Sequence, residues 1–214
     1  MIFSGLEFTK KVPFKKVYIH PTVLTKDGKR MSKSLGTGID PLELIEKYVA
    51  DAVRFGIAYQ ITELQDMRFN EDSIIMGKKF CNKIWNASRF VMQQNQGLSQ
   101  LSNFKTKTPL KKEDKKILKS LDKAIETTNK NMEAFRFGKA TRALYDFFWH
   151  DFCDQYIEKA KAQPSEEKRK ILFFVLLTSL KLLHPFIPFI TEDIYQKLPI
   201  KDKKKCLMIE EWPE

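Results

Sequence analysis

The chain has 214 residues, 43% hydrophobic and 12% aromatic, enough for one large packed domain or two small ones. Its net charge of +11 suggests a polyanionic partner, with nucleic acid first. Cys81, Cys153 and Cys206 are odd in number, far apart and free of C-x-x-C spacing, which excludes a disulfide framework and a zinc site. The longest apolar run, residues 171–177, falls far short of the ~18 residues that a membrane span requires. No basic, apolar leader opens the chain, and a reducing, cytoplasmic setting is expected.

Residues 1–25 read as extended pieces and turns, with Val17-Tyr18-Ile19-His20 as a short β-rich run between Pro13 and Pro21. The segment has too little apolar surface to close a sheet. It reads as the tail of a larger α/β domain, so the chain is expected to be a fragment. Next comes Lys29-Arg30-Met31-Ser32-Lys33-Ser34-Leu35, set between Gly28 and Gly36. Flanking glycines let a backbone turn close to a ligand. Lysine charge, small hydroxyls and loop N–H groups suit a polyphosphate, although the G-x-x-x-x-G-K-[ST] loop is absent.

Asp40-Pro41 is expected to open a helix, with Asp40 as N-cap and Pro41 at the first helical position. A second helix covers about 50–58, and 60–69 reads as a loop or short strand. From residue 70 the chain becomes helical. Asn70 caps a helix with Glu71 and Asp72 in its first turn. Ile74, Gly77, Cys81, Ile84, Ser88 and Val91 recur at spacings of three and four, one face of an amphipathic helix. A polar linker follows at 95–109, then helices at about 111–134, 139–162 and 166–184. Lys111-Lys112-Glu113-Asp114-Lys115-Lys116 reads as a solvated face. His184-Pro185-Phe186-Ile187-Pro188 breaks the chain, Thr191-Glu192-Asp193 restarts it with a cap, and Leu207-Met208-Ile209 reads as a short edge strand. Asp51 and Arg54, three apart on one helix, are expected to form a local ion pair. Arg68 has three open options: Asp66, Glu71 or RNA.

The loop, Ile39-Asp40-Pro41, and Lys47-Tyr48-Val49-Ala50-Asp51-Ala52-Val53-Arg54-Phe55 resemble, in this order, a class I aminoacyl-tRNA synthetase: its K-M-S-K-S signature and the K-Y-G-A-D-x-x-R-[FL] helix after it. Gln65-Asp66-Met67-Arg68-Phe69, Asn82 to Phe90, Phe152 to Glu158 and Glu211-Trp212-Pro213 look most like the valyl members, whereas His184 to Glu192 is shared with isoleucyl and leucyl members. Three departures stand out: Arg30 replaces the signature's first lysine, Val49 replaces a glycine, and Thr37 stands where asparagine is frequent. The H-I-G-H signature is absent; the rest of the active site and the editing domain are expected before residue 1, and a coiled-coil arm after residue 214.

The resemblance implies a mainly α fold. Residues 1–69 would be the C-terminal end of a nucleotide-binding catalytic domain, a small α/β segment, and 70–214 a helical anticodon-binding bundle. It implies Mg-bound ATP as substrate, tRNA as partner, and no metal site in this stretch. Lys33 would stabilise the pyrophosphate leaving group, supported by Arg30; Ser32 and Ser34 would donate hydrogen bonds or shape the loop, and Met31 would plug it to the domain beneath. On the helix after residue 70, Lys79, Lys83, Asn86 and Phe90 line the side opposite Ile74, with Arg89 beside them. Either this stripe meets a single-stranded anticodon loop, or it is a solvated face with Phe90 tucked inward. Alone, the chain is expected to be inactive. Isoleucyl or leucyl specificity, a non-catalytic helical RNA-binding module and a helical scaffold are the alternatives.

Overall fold

The computed structural model describes residues 1–32, 36–62, 66–95, 109–200 and 203–214. Most of the polar linker expected at 95–109 lies outside them. The elements run α1 (Ile2–Thr9), β1 (Val23–Leu24), α2 (Pro41–Tyr48), α3 (Ala50–Gln60), β2 (Met67–Arg68), α4 (Glu71–Gln94), α5 (Lys112–Glu133) and α6 (Phe137–Asp146). The last of these continues without a break through a π-helical stretch, Phe147–Ile157, into α7 (Glu158–Ala162). After it come α8 (Glu166–Leu183), α9 (Pro188–Lys197) and a 3₁₀ turn, Leu207–Ile209.

The mainly helical expectation stands, with local corrections. Residues 2–9 are helical rather than extended, yet α1 buries none of its side chains. Val17 to His20 are not a strand; β1 lies just beyond them and pairs in parallel with β2, Val23 against Met67 and Leu24 against Arg68. Leu207–Ile209 is a 3₁₀ turn rather than an edge strand. The helix expected over 139–162 is wound as a π-helix for eleven residues. One extra residue per turn re-aims successive side chains, and Phe147, Phe148, Phe152, Cys153, Tyr156 and Ile157 all turn inward. Tyr156 donates to Asp114 of α5 at 2.8 Å inside the bundle.

The helix starts were legible. Asp40 accepts from the Leu42 amide at 2.8 Å, and Asn70 accepts from the Asp72 amide at 2.9 Å. Ile74, Gly77, Cys81, Ile84, Ser88 and Val91 are all buried along α4. The main core joins α3 through α9, centred on Phe55, Phe80, Phe148, Phe152 and the α8 run 171–177. A smaller core, Leu44, Tyr48, Ala52, Val53 and Ile74, seats α2 on α3 and α4.

Helix α3 is fastened to the bundle at both ends and in the middle. Asp51 and Arg54 do not pair locally; both reach to the break after α8. Arg54 donates to the carbonyls of Pro185 at 2.9 Å and Phe186 at 3.2 Å. The Asp51 carboxylate accepts from the amides of Phe189 at 3.3 Å and Ile190 at 2.7 Å. Asp51 is therefore the cap of α9, a role that sequence assigned to Thr191. Thr191 instead sits inside α9, where its hydroxyl donates to the Ile187 carbonyl at 2.8 Å. α9 opens on Pro188, whose missing N–H is no loss in the first turn. Burial pushes the Asp51 carboxyl up, against the pull of those two amides and of Arg54.

In the middle, α3 and α4 cross at glycines. A Cβ on Gly56 would lie 2.7 Å from Ile74 Cα, and one on Gly77 would lie 2.7 Å from the Ala52 carbonyl oxygen. At the far end, Arg142 of α6 donates to the carbonyls of Tyr59 at 2.7 Å and Ile61 at 3.3 Å.

Candidate functional site

The signature loop grows from the β1–β2 pair. Thr25 N donates to the Lys29 carbonyl at 2.7 Å and Gly28 N to the Thr25 carbonyl at 2.9 Å. Gly28 turns the chain at φ +79°, a conformation that L side chains rarely take. The Arg68 guanidinium lies against that glycine, and Arg30 bridges back to Leu24. Arg30 is exposed, while Met31 and Ser32 are half-buried. Lys33, Ser34 and Leu35 lie outside the described residues.

Beyond them, Thr37 ties the two limbs together. Its hydroxyl accepts from the Ser32 amide at 3.0 Å and reaches the Arg30 carbonyl at 3.2 Å. The amides of Thr37 and Gly38 donate to the Ser32 carbonyl at 3.1 and 3.2 Å. Sequence reasoning marked Thr37 only as a departure from asparagine. Its hydroxyl is in fact what fastens the loop base, both donor and acceptor on a short stem.

From the loop, α2 leads to Val49 at φ +71°, ψ +153°, a region that is essentially restricted to glycine. The sequence departure from glycine at this position is thus a point of real backbone strain. Lys47 and Tyr48 both donate to Glu71 of α4, at 2.8 and 2.6 Å. The Glu71 hydrogen bond raises the Lys47 ammonium above its ordinary range and in turn lowers the Glu71 carboxyl.

The stripe expected to meet RNA divides in two. Lys79, Asn86 and Arg89 are exposed on α4. Lys83 is half-buried, 2.8 Å from Asp154 and with its ammonium 5.0 Å from the Trp149 ring centre. Burial is the largest single influence and works against that charge, but Asp154, Cys153 and Glu158 together outweigh it and the Lys83 ammonium is raised. Phe90 packs on the bundle core with the Lys161 ammonium 5.2 Å from its ring centre. Trp85 is half-buried in the same way, beneath Lys197.

Among the described residues no cluster of three or more His, Cys, Asp or Glu could hold a metal ion, and no helix is long and apolar enough to cross a membrane. Cys81 and Cys153 are free thiols pushed up to about 12 by burial, which makes them inert nucleophiles at neutral pH.

Comparison with known proteins matches two stretches of the chain. Residues 1–70 match the family model "tRNA synthetases class I (I, L, M and V)", and residues 114–214 match "Anticodon-binding domain of tRNA ligase". Over its whole length the chain is 44% identical to valine–tRNA ligases of Bacillus cereus, Clostridium tetani and Thermotoga maritima. It spans about a quarter of the length of these curated relatives. A crystal structure of a LeuRS from Agrobacterium radiobacter K84, in a ternary complex with tRNA and LeuAMS, superposes with a TM-score of 0.79. It covers 99% of this chain and 26% of that one, at 20% identity, a likeness of fold. A synthetase match thus leads into an anticodon-domain match along one chain, and 44% identity to valine–tRNA ligases runs through both.

Proposed function

We propose that this chain works within a valine–tRNA ligase. It would supply the ATP-signature loop from residues 1–69 and a tRNA anticodon-binding bundle from residues 70–214. The observation that carries this reading is the 44% identity to three valine–tRNA ligases along the entire chain. The anticodon-domain match over 114–214 supports the RNA half. The cytoplasmic setting follows from the ligase reading alone.

In the proposed reaction a valine carboxylate oxygen attacks the α-phosphorus of MgATP. The new P–O bond forms as the bond to the β-phosphate bridging oxygen breaks, and pyrophosphate leaves with the electron pair. Negative charge therefore grows on the leaving group. A cation positioned there stabilises the transition state more than the ground state. Lys33 takes that role, and exposed Arg30 stands at the loop's start to assist. Ser32 and Ser34 would donate hydrogen bonds or shape the loop, and Met31 would plug it to the domain beneath, on a base fastened by Thr37.

For the RNA half, Lys79, Asn86 and Arg89 are the exposed candidates on α4. Lys83 and Phe90 join them only by leaving Asp154 and the cover of Lys161.

The test is valine-dependent ATP–pyrophosphate exchange in the full-length ligase carrying this chain. Lys33→Ala is expected to lower kcat about 10²- to 10³-fold with the KM for ATP little changed. Equal losses in kcat and ATP affinity would overturn the role of Lys33. Exchange driven by isoleucine or leucine as well as by valine would overturn the valine assignment.

A further inference from the structure

The α5 face that reads in sequence as merely solvated carries a denser line of cations than the α4 stripe. Lys112, Lys115, Lys116, Lys119, Lys123 and Lys130 are all exposed, and helical spacing brings them to one side of α5. Glu126 is the one acid within that band; Asp122 and Glu133 lie at its edge. At 1.5 Å per residue, Lys112, Lys116, Lys119 and Lys123 place a cation about every 5 to 6 Å along a line about 17 Å long. The opposite side of α5 is committed to the core through Ile117, Leu121, Ala124, Ile125 and Thr128.

The position of this line is as telling as its density. Lys83 of α4 reaches Asp154 at 2.8 Å, and Lys116 of α5 reaches Gln155 at 2.8 Å. The two contacts fall on adjacent residues of the π-helical stretch. The outer faces of α4 and α5 therefore flank one strip of surface, between which the carboxylates of Asp154 and Glu158 are already engaged by Lys83 and Lys161.

We infer that the α5 lysine line is a second RNA contact that holds the phosphate backbone of the same tRNA proposed to meet α4. A regular row of point charges without interleaved aromatic rings suits phosphates rather than bases. The α4 stripe, with an amide and an arginine, suits base edges. This inference rests on the tRNA reading and adds to it the surface that supplies salt-dependent affinity.

The test uses the 214-residue chain and an unmodified valine tRNA transcript, with binding measured across salt concentration. The quadruple variant Lys112→Gln, Lys116→Gln, Lys119→Gln, Lys123→Gln is compared with a control of equal charge change, Arg169→Gln, Lys197→Gln, Lys204→Gln, Lys205→Gln. Losing four phosphate contacts is expected to lower the slope of log K against log salt by about 3, with at least a tenfold loss of affinity. The control is expected to change the slope little. All the replaced side chains are exposed, and a thermal melt coincident with wild type verifies that the fold is retained. Single variants Lys119→Gln and Lys123→Gln, each expected to lower the slope by about 0.7 to 0.9, give the same reading should the quadruple variant melt early. Equal losses in variant and control, or an unchanged slope in the α5 variants while wild type binds, would overturn the inference and leave the tRNA reading standing. A wild-type chain that binds no tRNA would overturn both.

Discussion

Two regions inside the same synthetase match, the first thirty residues and helix α3, treat apolar residues in opposite ways. Phe3, Phe8 and Ile19 stand 82%, 86% and 85% exposed, whereas Phe55 of α3 is completely buried. The first region keeps most of its apolar side chains uncovered, although Tyr18 stacks on Phe135 at 5.6 Å between ring centres. Helix α3 straddles both cores, with Ala52 and Val53 in one and Phe55 in the other. The family match thus ends at residue 70, but packing carries α3 into the bundle. Composition alone does not place a core; neighbouring surfaces do.

This comparison can be broken at the α3–α4 crossing. Gly56→Ala is expected to destabilise by about 3 kcal/mol, because backbone rather than a flexible side chain stands in the way of the new methyl; urea denaturation reads it. Asp51→Ala, which strips the cap from α9, is expected to cost about 2 kcal/mol in the same assay. Val49→Gly acts in the other direction. Relief of the glycine-type backbone exceeds the added chain entropy, for a net gain of about 1 kcal/mol.

A pH dependence sharpens the account of the α8–α9 break. His184 Nδ1 lies 2.8 Å from the Thr191 hydroxyl, and burial holds the imidazole below its ordinary value, against the pull of Glu192 and Asp51. The unfolded chain then takes up the proton first. Stability is full above about pH 6.5 and falls as pH drops through that value toward the folded one. His184→Gln is expected to flatten this slope in thermal melts between pH 7.5 and pH 5. The smallest effect belongs to the other region: Phe3→Ser or Phe8→Ser is expected to shift stability by no more than about 0.5 kcal/mol.

The helix starts at Asp40 and Asn70 and the buried face of α4 were legible because they depend on residues close in sequence. Local rules failed where a partner came from far along the chain. Asp51 and Arg54 lie one turn apart, and pairing between them is the local expectation; their actual partners are more than 130 residues away. Thr191 fitted a cap by type, but the cap is the distant Asp51. The π-helical winding of 147–157 shows no break in apolar pattern. The signature loop was legible as a motif, yet the fastening by Thr37 was not, since it depends on where the two limbs meet. On α4 the exposed candidates were legible by period, while the engagement of Lys83 by Asp154 depends on a helix 71 residues on.

The most direct measurement is binding of this chain to unmodified tRNA transcripts with valine, isoleucine and leucine anticodons, at low and at physiological salt. The account expects tighter binding to the valine anticodon, retained at the higher salt. Equal binding to all three that collapses with salt would mean that only the +11 charge is acting, and would contradict the anticodon role of the bundle.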